Sequence, residues 1–424
     1  MQRRRFLGSA AALAAGGTLE LGLARVARAQ PQDVVLKVSF FDPAFQPVMK
    51  SLIDKFHSTV GGIQIAIQTP TTSWDEQLQR TILDMRMGGA AELAVQGYNR
   101  LRVVANNKAA IPLDGLIATE KDWGNRGYSP ALMSLGSFGG KQWGMPLQLS
   151  DPVIFYNADL FQRAGVDEAA FARSWESAVD AAAKITSLAG GVSGPFFDYT
   201  ADGNWMYQAL LFSLGGRMMS PNEAAITFDD ATGLRALKIL QGFGRSGQID
   251  MTFNQAAQSF IAGKIGMIFS SNRRLGHLQN AIQDRFRLRT APLPRLENGR
   301  IPVGGGFLST TTTDPMKQRA AWEFIKFATG PVGQSLVVSA TGSIPGNEKT
   351  APMLRDFYAK TPQAKAGLDQ LPFVTSWYSF PGTNAVKISD ILFNHLHEVV
   401  TLKVTPAAAL PAMRAAVQSL LPKA

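Results

Sequence analysis

The sequence contains no cysteine. This excludes disulfides, thiolate metal sites, iron–sulfur clusters, cysteine nucleophiles and a lipoprotein anchor, all of which need that side chain. Charged residues are also scarce, at 17%. After the N-terminal segment, no run of about 18 uninterrupted apolar residues suggests a membrane span, so we expect a soluble mature chain. The motifs G-x-S-x-G, H-E-x-x-H and G-x-x-x-x-G-K-[ST] do not occur, so no local sequence supports catalysis or phosphate binding.

The chain is nevertheless rich in apolar and aromatic residues. It has 424 residues, of which 46% are apolar, and it contains 25 Phe, 7 Trp and 7 Tyr. This length suggests two or three packing units rather than one. The composition supports a large core and argues against disorder.

The first thirty residues have the features of an export signal. Arg3, Arg4 and Arg5 precede a run of Ala, Gly and Leu that ends in Ala27-Arg28-Ala29, an A-x-A cleavage pattern. The Arg-Arg-x-Phe-Leu order resembles a twin-arginine signal, with an ordinary secretory signal or an uncleaved anchor as the alternatives. We therefore predict that residues 1–29 are removed after Ala29 and that the protein is periplasmic.

The signal also accounts for part of the basic charge. The formal net charge is +10. The leader has five arginines and one glutamate, so the mature chain carries +6. Arg285, Arg287 and Arg289 alternate in the densest basic patch, and their spacing predicts one solvated face of a strand. We prefer this interpretation to a nucleic-acid site and expect no nucleic-acid partner.

Apolar patterns alternate between strand and helix periods along the mature chain. Residues 34–41 form a buried-strand pattern, Asp42-Pro43 begins a helix, and a second strand follows Gly61-Gly62. This β-α-β order predicts parallel strands. Ser73 and Glu76 have the spacing of a capping box, and residues 92–96 form a third strand pattern. The alternation continues, which predicts an α/β fold with helices on both faces of a mostly parallel sheet.

Histidine gives little support for a metal site. There are four histidines, and His395 and His397 stand two residues apart. Their surroundings have a helical pattern, in which positions two apart point in different directions. We therefore expect a solvated helix surface, and we predict no metal and no cofactor.

Aromatic residues beside small polar residues follow several predicted strands. Open α/β sheets bind ligands beyond the carboxyl ends of their strands. Aromatic faces cover the C–H patches of a sugar, while fixed donors and acceptors hold its hydroxyls. For any single aromatic residue, packing in the core is the alternative. The candidates are Phe41, Asp42, Trp74, Tyr98, Asn99, Ser150, Asp151, Trp205, Ser270, Ser271, Arg273 and Phe380.

Four segments carry a resemblance to a known family. They are Ser174-Trp175-Glu176, F-I-A-G-K-I-G-M at 260–267, A-W-E-F-I-K-F at 321–327 and T-G-S-I-P at 341–345. Together with the export signal, their order resembles family 1 of the extracellular solute-binding proteins of bacterial ABC transporters. The resemblance covers essentially the whole mature chain. It is strongest for the sugar and glycerol-3-phosphate binders.

The resemblance implies two lobes around a cleft that closes by a hinge. The resemblance places the segments that pass between the lobes near residues 148–152, 304–306 and 342–345. The first lobe would comprise residues 30–148 and 306–344, and the second 149–305 and 345–424. The protein, expected to be a monomer, would present its closed form to the membrane permease.

The resemblance also implies ligand contacts at matching positions. These are Trp74, Tyr98, Ser150, Trp205, Ser270 or Ser271, and Gly305, with Gly306 beside it. Two positions depart from the glycerol-phosphate binder, since Ser343 stands for a tyrosine and Phe380 for a phosphate-facing arginine. Losing that guanidinium disfavours a phosphate, although Arg273 is a possible replacement.

Three hypotheses follow. The first is a binding protein for a neutral sugar or polyol, with Trp205 stacked on the ligand. The second is a binder of a phosphorylated polyol such as glycerol 3-phosphate. The third is an exported glycan hydrolase, with Asp42 and Asp151 as the paired carboxylates.

Overall fold

The computed structural model describes residues 33–422. The predicted export signal and its cleavage site lie outside this part of the chain. Strands and helices alternate along it, which confirms the α/β prediction.

The strands are β1 (Val34–Ser39), β2 (Ile63–Ile67), β3 (Leu93–Gly97), β4 (Ser137–Phe138), β5 (Lys141–Gln142), β6 (Met145–Ser150), β7 (Pro152–Asn157), β8 (Ser193–Phe197), β9 (Ile265–Ser271), β10 (Leu288–Pro292), β11 (Ile301–Thr310) and β12 (Val374–Ser376). The α-helices are α1 (Gln46–His57), α2 (Trp74–Arg86), α3 (Leu101–Asn106), α4 (Asp114–Ile117), α5 (Pro130–Ser134), α6 (Ala158–Arg163), α7 (Trp175–Thr186), α8 (Trp205–Ser213), α9 (Ala231–Arg245), α10 (Phe253–Ile261), α11 (Leu275–Ile282), α12 (Pro315–Thr329), α13 (Pro331–Thr341), α14 (Arg355–Lys360), α15 (Lys365–Leu368), α16 (Ala385–Val400) and α17 (Pro406–Gln418). Short 3-10 turns precede several of these helices, including Pro43–Phe45, Asp202–Asn204 and Asn272–Arg274.

Within residues 33–422 the strands form two main sheets. The six-stranded sheet has the order β12-β11-β3-β1-β2, with β6 also paired to β11, and the four-stranded sheet has the order β10-β7-β9-β8. β1 and β2 pair in parallel, as the β-α-β pattern predicted. β11 runs antiparallel to both β3 and β6. In the four-stranded sheet β7 runs antiparallel to both β9 and β10, and only β8 and β9 are parallel, so this sheet is mostly antiparallel where a mostly parallel one was predicted. We call the six-stranded sheet with its helices the first lobe and the four-stranded sheet with its helices the second lobe.

The chain passes between the lobes at short segments. Only Asp151 separates β6 in the first lobe from β7 in the second. The return lies between β10 and β11, at residues 293–300. Gly304–Gly306, where a crossing was expected, lies inside β11. Beyond α13, Ile344 bridges to Leu149 of β6, and β12 later rejoins β11 at Ile301–Val303. The exact division into lobes remains a prediction.

Polar side chains just before the helical segments cap their first N–H groups. Asp42 accepts a hydrogen bond from the Ala44 N–H at 3.0 Å, and Ser73 accepts one from Glu76 N–H at 3.0 Å. The capping box at Ser73 is only half formed. The Glu76 carboxylate instead accepts hydrogen bonds from the N–H and hydroxyl of Thr72, both at 2.7 Å. Thr72 is one residue earlier, and its hydroxyl adds a second donor.

The basic patch is not one strand face, so that prediction was wrong. β10 begins only at Leu288, and Arg285 and Arg287 precede it. Arg287 forms an ion pair with Asp159 at 2.6 Å, while Arg285 donates to the Ile261 carbonyl at 2.7 Å. The two side chains therefore have different partners, and only the Arg287 carbonyl, which accepts from the Ala158 N–H at 3.0 Å, continues the contact with the end of β7.

An aromatic cluster forms the centre of the second lobe. Trp175, at the start of α7, is 1% exposed. Its ring packs against Phe269 of β9, with centroids 5.8 Å apart, and its indole N–H donates to Ser213 at 2.8 Å. Phe197 and Phe243 stack beside it at 5.6 Å. Because these rings join α7 and α9 to the sheet, Trp175 fixes the packing of this lobe.

We expect Trp175→Ala to lower the free energy of unfolding by about 3–5 kcal/mol, since it removes a fully buried ring and leaves the Ser213 hydroxyl without its donor. Chemical denaturation monitored by circular dichroism measures this. The control is Leu83→Ala, because Leu83 is 56% exposed and its loss should cost less than about 0.5 kcal/mol. Equal effects of the two variants would contradict the central role of Trp175.

Candidate functional site

The carboxyl ends of strands from both lobes meet across a cleft. Asp42 follows β1, and Tyr98 and Asn99 follow β3. From the second lobe, Asp202 follows β8 and Arg273 follows β9. Parallel strands present their ends at one edge of a sheet. The predicted strand-exit residues therefore lie at the edge where the lobes touch.

One carboxylate joins the two lobes directly. Asp42 Oδ2 accepts hydrogen bonds from Arg273 at 2.5 Å and from Arg274 at 3.4 Å. Burial alone would raise the pKa of Asp42, but the charges of Arg273 and Arg274 outweigh it and hold that pKa below its ordinary value. The Arg273 guanidinium also lies over the Phe41 ring, 5.6 Å from its centroid. The contact combines an ion pair with a cation–π interaction.

A second contact between the lobes involves Trp74. Its backbone N–H donates to Asp202 Oδ2 at 3.2 Å. Burial, together with the nearby Asp75 charge, raises the pKa of Asp202. The Trp74 ring packs on Phe41 with centroids 4.7 Å apart. The helix start at Trp74 thus serves as a contact surface for the second lobe.

Two tryptophans lie against the glycines of β11. A Cβ on Gly306 would lie 2.8 Å from Cη2 of Trp74, and a Cβ on Gly304 would lie 2.7 Å from Cζ2 of Trp205. Side chains there would displace both indoles. The Trp205 indole N–H donates to the Pro302 carbonyl at 3.1 Å, which fixes its ring. Phe41 also packs against Trp74, and Trp377 against Trp205, so the two indoles are only 6% and 5% exposed.

Gly305, between these two glycines, is required for a different reason. Its φ of +100° is a conformation that side chains rarely adopt, and a Cβ there would lie 2.1 Å from the Gln148 carbonyl oxygen. The Gly304–Gly306 run thus provides close approach on both faces of β11.

Asn99 is the most informative polar residue in the cleft. It is 1% exposed, and neither its amide oxygen nor its amide nitrogen has a hydrogen-bond partner among residues 33–422. The Tyr98 hydroxyl is likewise buried without a partner in this part of the chain. Asn99 Nδ2 faces Gly203 of the second lobe, 2.6 Å from where a Cβ would stand. Buried amides without partners are costly, so this position is suited to a polar ligand.

The second lobe adds hydroxyl and carboxylate groups. Ser270 donates to Asp198 Oδ2 at 2.9 Å, and Ser271 accepts from the Arg273 N–H at 3.4 Å. Burial raises the pKa of Asp198. Burial and the neighbouring Arg273 charge lower the pKa of Arg274 to about 10, so it stays protonated at neutral pH.

Three predicted residues lie elsewhere or are engaged by the protein. Asp151 is fully buried at the first crossing and accepts from Gln370 at 2.7 Å; burial raises its pKa well above the ordinary value. Ser150 pairs with Gly304 in the sheet. Phe380 is 4% exposed and packs edge-on against Tyr378 at 5.3 Å.

A cavity of about 770 Å³ opens beside the strand-exit cluster. Of the predicted residues, Tyr98 alone lines it. Its walls come from both lobes and from the segment after β12. They are Tyr98, Leu101, Arg102, Ser134, Leu135, Ser137, Phe138, Phe212, Gly215, Gly216, Arg217, Met218, Met219, Ser220, Pro221, Glu223, Asn298, Arg300, Thr375, Ser376, Trp377, Tyr378 and Ser379.

Sequence reasoning missed Trp377, Asp202 and Arg274. The Trp377 ring lies 5.9 Å from that of Trp205 and lines the cavity. Arg274 stands next to the predicted Arg273, and Trp377 precedes the Tyr378–Gly382 segment that the resemblance drew attention to. Proximity in sequence was therefore a usable signal for both. Asp202 lies in a loop that carries no comparable pattern.

No group of three or more His, Asp or Glu side chains within residues 33–422 could hold a metal ion. His395 and His397 lie on α16, as expected, but both are half-buried rather than solvated, and His397 faces Asp250 at 2.9 Å. The described residues also contain no helix with the length and apolarity needed to cross a bilayer.

The family profile described as bacterial extracellular solute-binding protein matches residues 51–366. This chain belongs to that family. This chain is 24% identical over 418 residues to a binding protein of Brucella abortus, and the match covers 95% of this chain and 96% of the relative. The two-lobed α/β prediction agrees with solved structures.

Two of these structures show the range of relatives. The substrate-binding protein Lmo0181 of Listeria monocytogenes, in complex with cycloalternan, has a TM-score of 0.80 at 18% identity, covering 92% of this chain and 99% of that one. UgpB of Mycobacterium tuberculosis, in complex with glycerophosphocholine, has a TM-score of 0.78 at 18% identity, covering 90% and 97%. At 18% identity, the similarity to these two structures establishes the fold of this chain.

We expect Asp42→Asn to open the ligand-free protein, because Arg273 and Arg274 lose the carboxylate that they share. The ratio of open to closed molecules should rise about tenfold, which small-angle X-ray scattering detects as a larger radius of gyration. The control is Asp54→Asn, since Asp54 forms an exposed ion pair with Lys50 within α1. An unchanged radius in Asp42→Asn would contradict the joining role.

The same contact predicts an effect of pH. Because the pKa of Asp42 is lowered in the closed form, closure gains from the ion pair at pH values above the ordinary carboxyl pKa of about 4. That gain is lost as the pH falls through the lowered value. Wild type should therefore expand in acid, whereas Asp42→Asn should lack this component of the change. Identical pH profiles would contradict this assignment.

Proposed function

We propose that this protein captures a sugar or polyol between its lobes and delivers it to the permease of an ABC importer. The observation that carries this proposal is the buried Asn99 amide, whose two polar atoms lack partners among the described residues. A hydroxylated ligand supplies both a donor and an acceptor to such an amide. Family membership supports the transport role, and the sugar-bound Listeria structure supports the ligand class.

The charges at the strand exits favour a neutral group there. The carboxylates of Asp42, Asp198 and Asp202 lie near only two guanidiniums, and Arg274 interacts electrostatically with all three carboxylates. A phosphate at this position would add negative charge to three carboxylates in a poorly hydrated cleft. A hydroxyl group avoids that repulsion, because it can donate a hydrogen bond to a carboxylate or accept one from a guanidinium.

A phosphorylated polyol is the second candidate. Two guanidiniums converge on the single carboxylate of Asp42, and a phosphate that replaced this carboxylate would gain two charged donors. The glycerophosphocholine-bound UgpB supports this class. Two departures weigh against it, because Phe380 is buried and Ser343 accepts a hydrogen bond from Thr341 at 2.8 Å.

The hydrolase hypothesis has less support. Asp42 is held by the two arginines, and Asp151 is held by Gln370, with Asn272 accepting from its backbone N–H. Paired carboxylates for glycoside hydrolysis flank one bond, whereas these two bond to different partners. The family is one of binding proteins, and we infer that this member acts without turnover, as an exported monomer cleaved after Ala29.

Mass spectrometry of the natively exported protein should identify a hydroxylated small molecule bound in a one-to-one ratio. Calorimetry with a panel of neutral sugars and polyols then measures affinity. A folded protein that binds none of them would contradict the proposal. Preference for glycerol 3-phosphate over every neutral compound would favour the second candidate instead.

Asn99→Ala should weaken binding of the identified ligand at least about tenfold, since it removes the donor and the acceptor together. The matched control is Asn106→Ala, at the exposed end of α3, which should bind as wild type does. Equal affinities of wild type and Asn99→Ala would remove Asn99 from the site.

A further inference from the structure

The cavity lies next to the strand-exit cluster and shares wall residues with it. Tyr98 belongs to both, because it follows β3 and also lines the cavity. Trp377 also belongs to both, since it lines the cavity and its ring contacts Trp205 and Gly203. The cavity therefore borders the cluster that contains Asn99, although Asn99 itself is 1% exposed and is not part of the cavity wall.

The cavity has room for more than one sugar ring. A volume of about 770 Å³ equals on the order of 25 water molecules at liquid density. A single hexose has about half as many non-hydrogen atoms, so one ring would leave much of the space to water. A ligand with a second ring or an equally long extension fills it.

Aromatic side chains form part of the cavity walls. Phe138 lies on the first lobe, and the Arg102 guanidinium covers its ring at 5.3 Å from the centroid. Phe212 and Trp377 approach from the second lobe and the segment after β12. Because Arg102 covers Phe138, and Phe212 and Trp377 are only 8% and 6% exposed, these rings contribute apolar wall area rather than open stacking faces.

The cavity walls carry more positive than negative charge, since they contain three arginines and one glutamate. Arg102 forms an ion pair with Glu223 at 2.6 Å, and Tyr378 donates to the same carboxylate at 3.2 Å. Arg217 and Arg300 have no carboxylate within ion-pair distance among residues 33–422. Arg300 donates only to backbone carbonyls, with Gly299 at 2.9 Å. Glu223 is thus neutralised, and two guanidiniums remain.

We propose that the cavity binds the anionic end of an elongated ligand, with Arg217 and Arg300 as the residues that recognise its charge. The proposal rests on the proposed function, because the neutral, hydroxylated end of the same ligand occupies the strand exits beside Asn99. The ligand class is a saccharide of two rings, or a polyol of similar length, whose far end carries a carboxylate or a phosphate. This separates the two ends by charge: carboxylates dominate at the strand exits, and arginines dominate in the cavity.

Matched probes test this directly. We would titrate disaccharides, each compared with its uronic acid and its 6-phosphate, into wild type and into the double variant Arg217→Gln/Arg300→Gln by calorimetry. We expect wild type to bind the best anionic form about tenfold tighter than its neutral partner, and this preference should shrink with added salt. The double variant should lose most of the preference while its affinity for the neutral partner changes by less than about twofold.

Arg289→Gln is the matched control, because Arg289 is exposed on β10 and forms no ion pair within the described residues. It should keep the full preference. Equal binding of neutral and anionic partners by wild type would overturn this inference and leave the proposed function intact. A preference that persists in the double variant would overturn the role of the two arginines. Binding of no saccharide at all by folded protein would contradict the proposed function itself. The carboxylate and phosphate arms identify which anion is preferred.

Discussion

The shared bond of Asp42 with Arg273 and Arg274 is the contact on which the geometry of the cleft depends. Asp42 lies at the end of β1 in the first lobe, and both arginines follow β9 in the second. The carboxylate is mostly buried, yet the two positive charges keep its pKa low. Removing one partner would leave uncompensated charge in a poorly hydrated cleft. The ion pair therefore couples the approach of the lobes to the charge state of a single side chain.

Around this contact, aromatic side chains are held in place because they pack directly against the backbone of β11. The glycines of β11 let Trp74 and Trp205 lie directly on the sheet, so both indoles are positioned without flexible side chains beneath them. Asn99 lies in the same region with its amide unpaired among the described residues. A rigid aromatic surface beside an unpaired amide supports the proposal of a hydroxylated ligand.

Local patterns predicted much of the architecture and part of the site. The apolar runs at β1 and β2 and the cap at Asp42 gave the parallel β-α-β unit, because periodicity and capping act over a few residues. Asp42, Trp74, Asn99 and Arg273 were named as candidates because strand exits can be located from those patterns, and the structure places them where the lobes meet. Trp377 was missed since it follows a three-residue strand whose pairing with β11 spans a long stretch of sequence. Asp151 directly follows β6, but its side chain turns to Gln370.

The sequence by itself determined the fold class, the family and most strand exits. Each of these depends on residue order, periodicity or short motifs. Tertiary structure alone decided which exits touch, which carboxylate pairs with which guanidinium and where the cavity lies. Asp42 and Arg273 are 231 residues apart in the chain, and no local pattern encodes such a contact. It depends on how two separately packed lobes come together, and therefore on the summed packing of both.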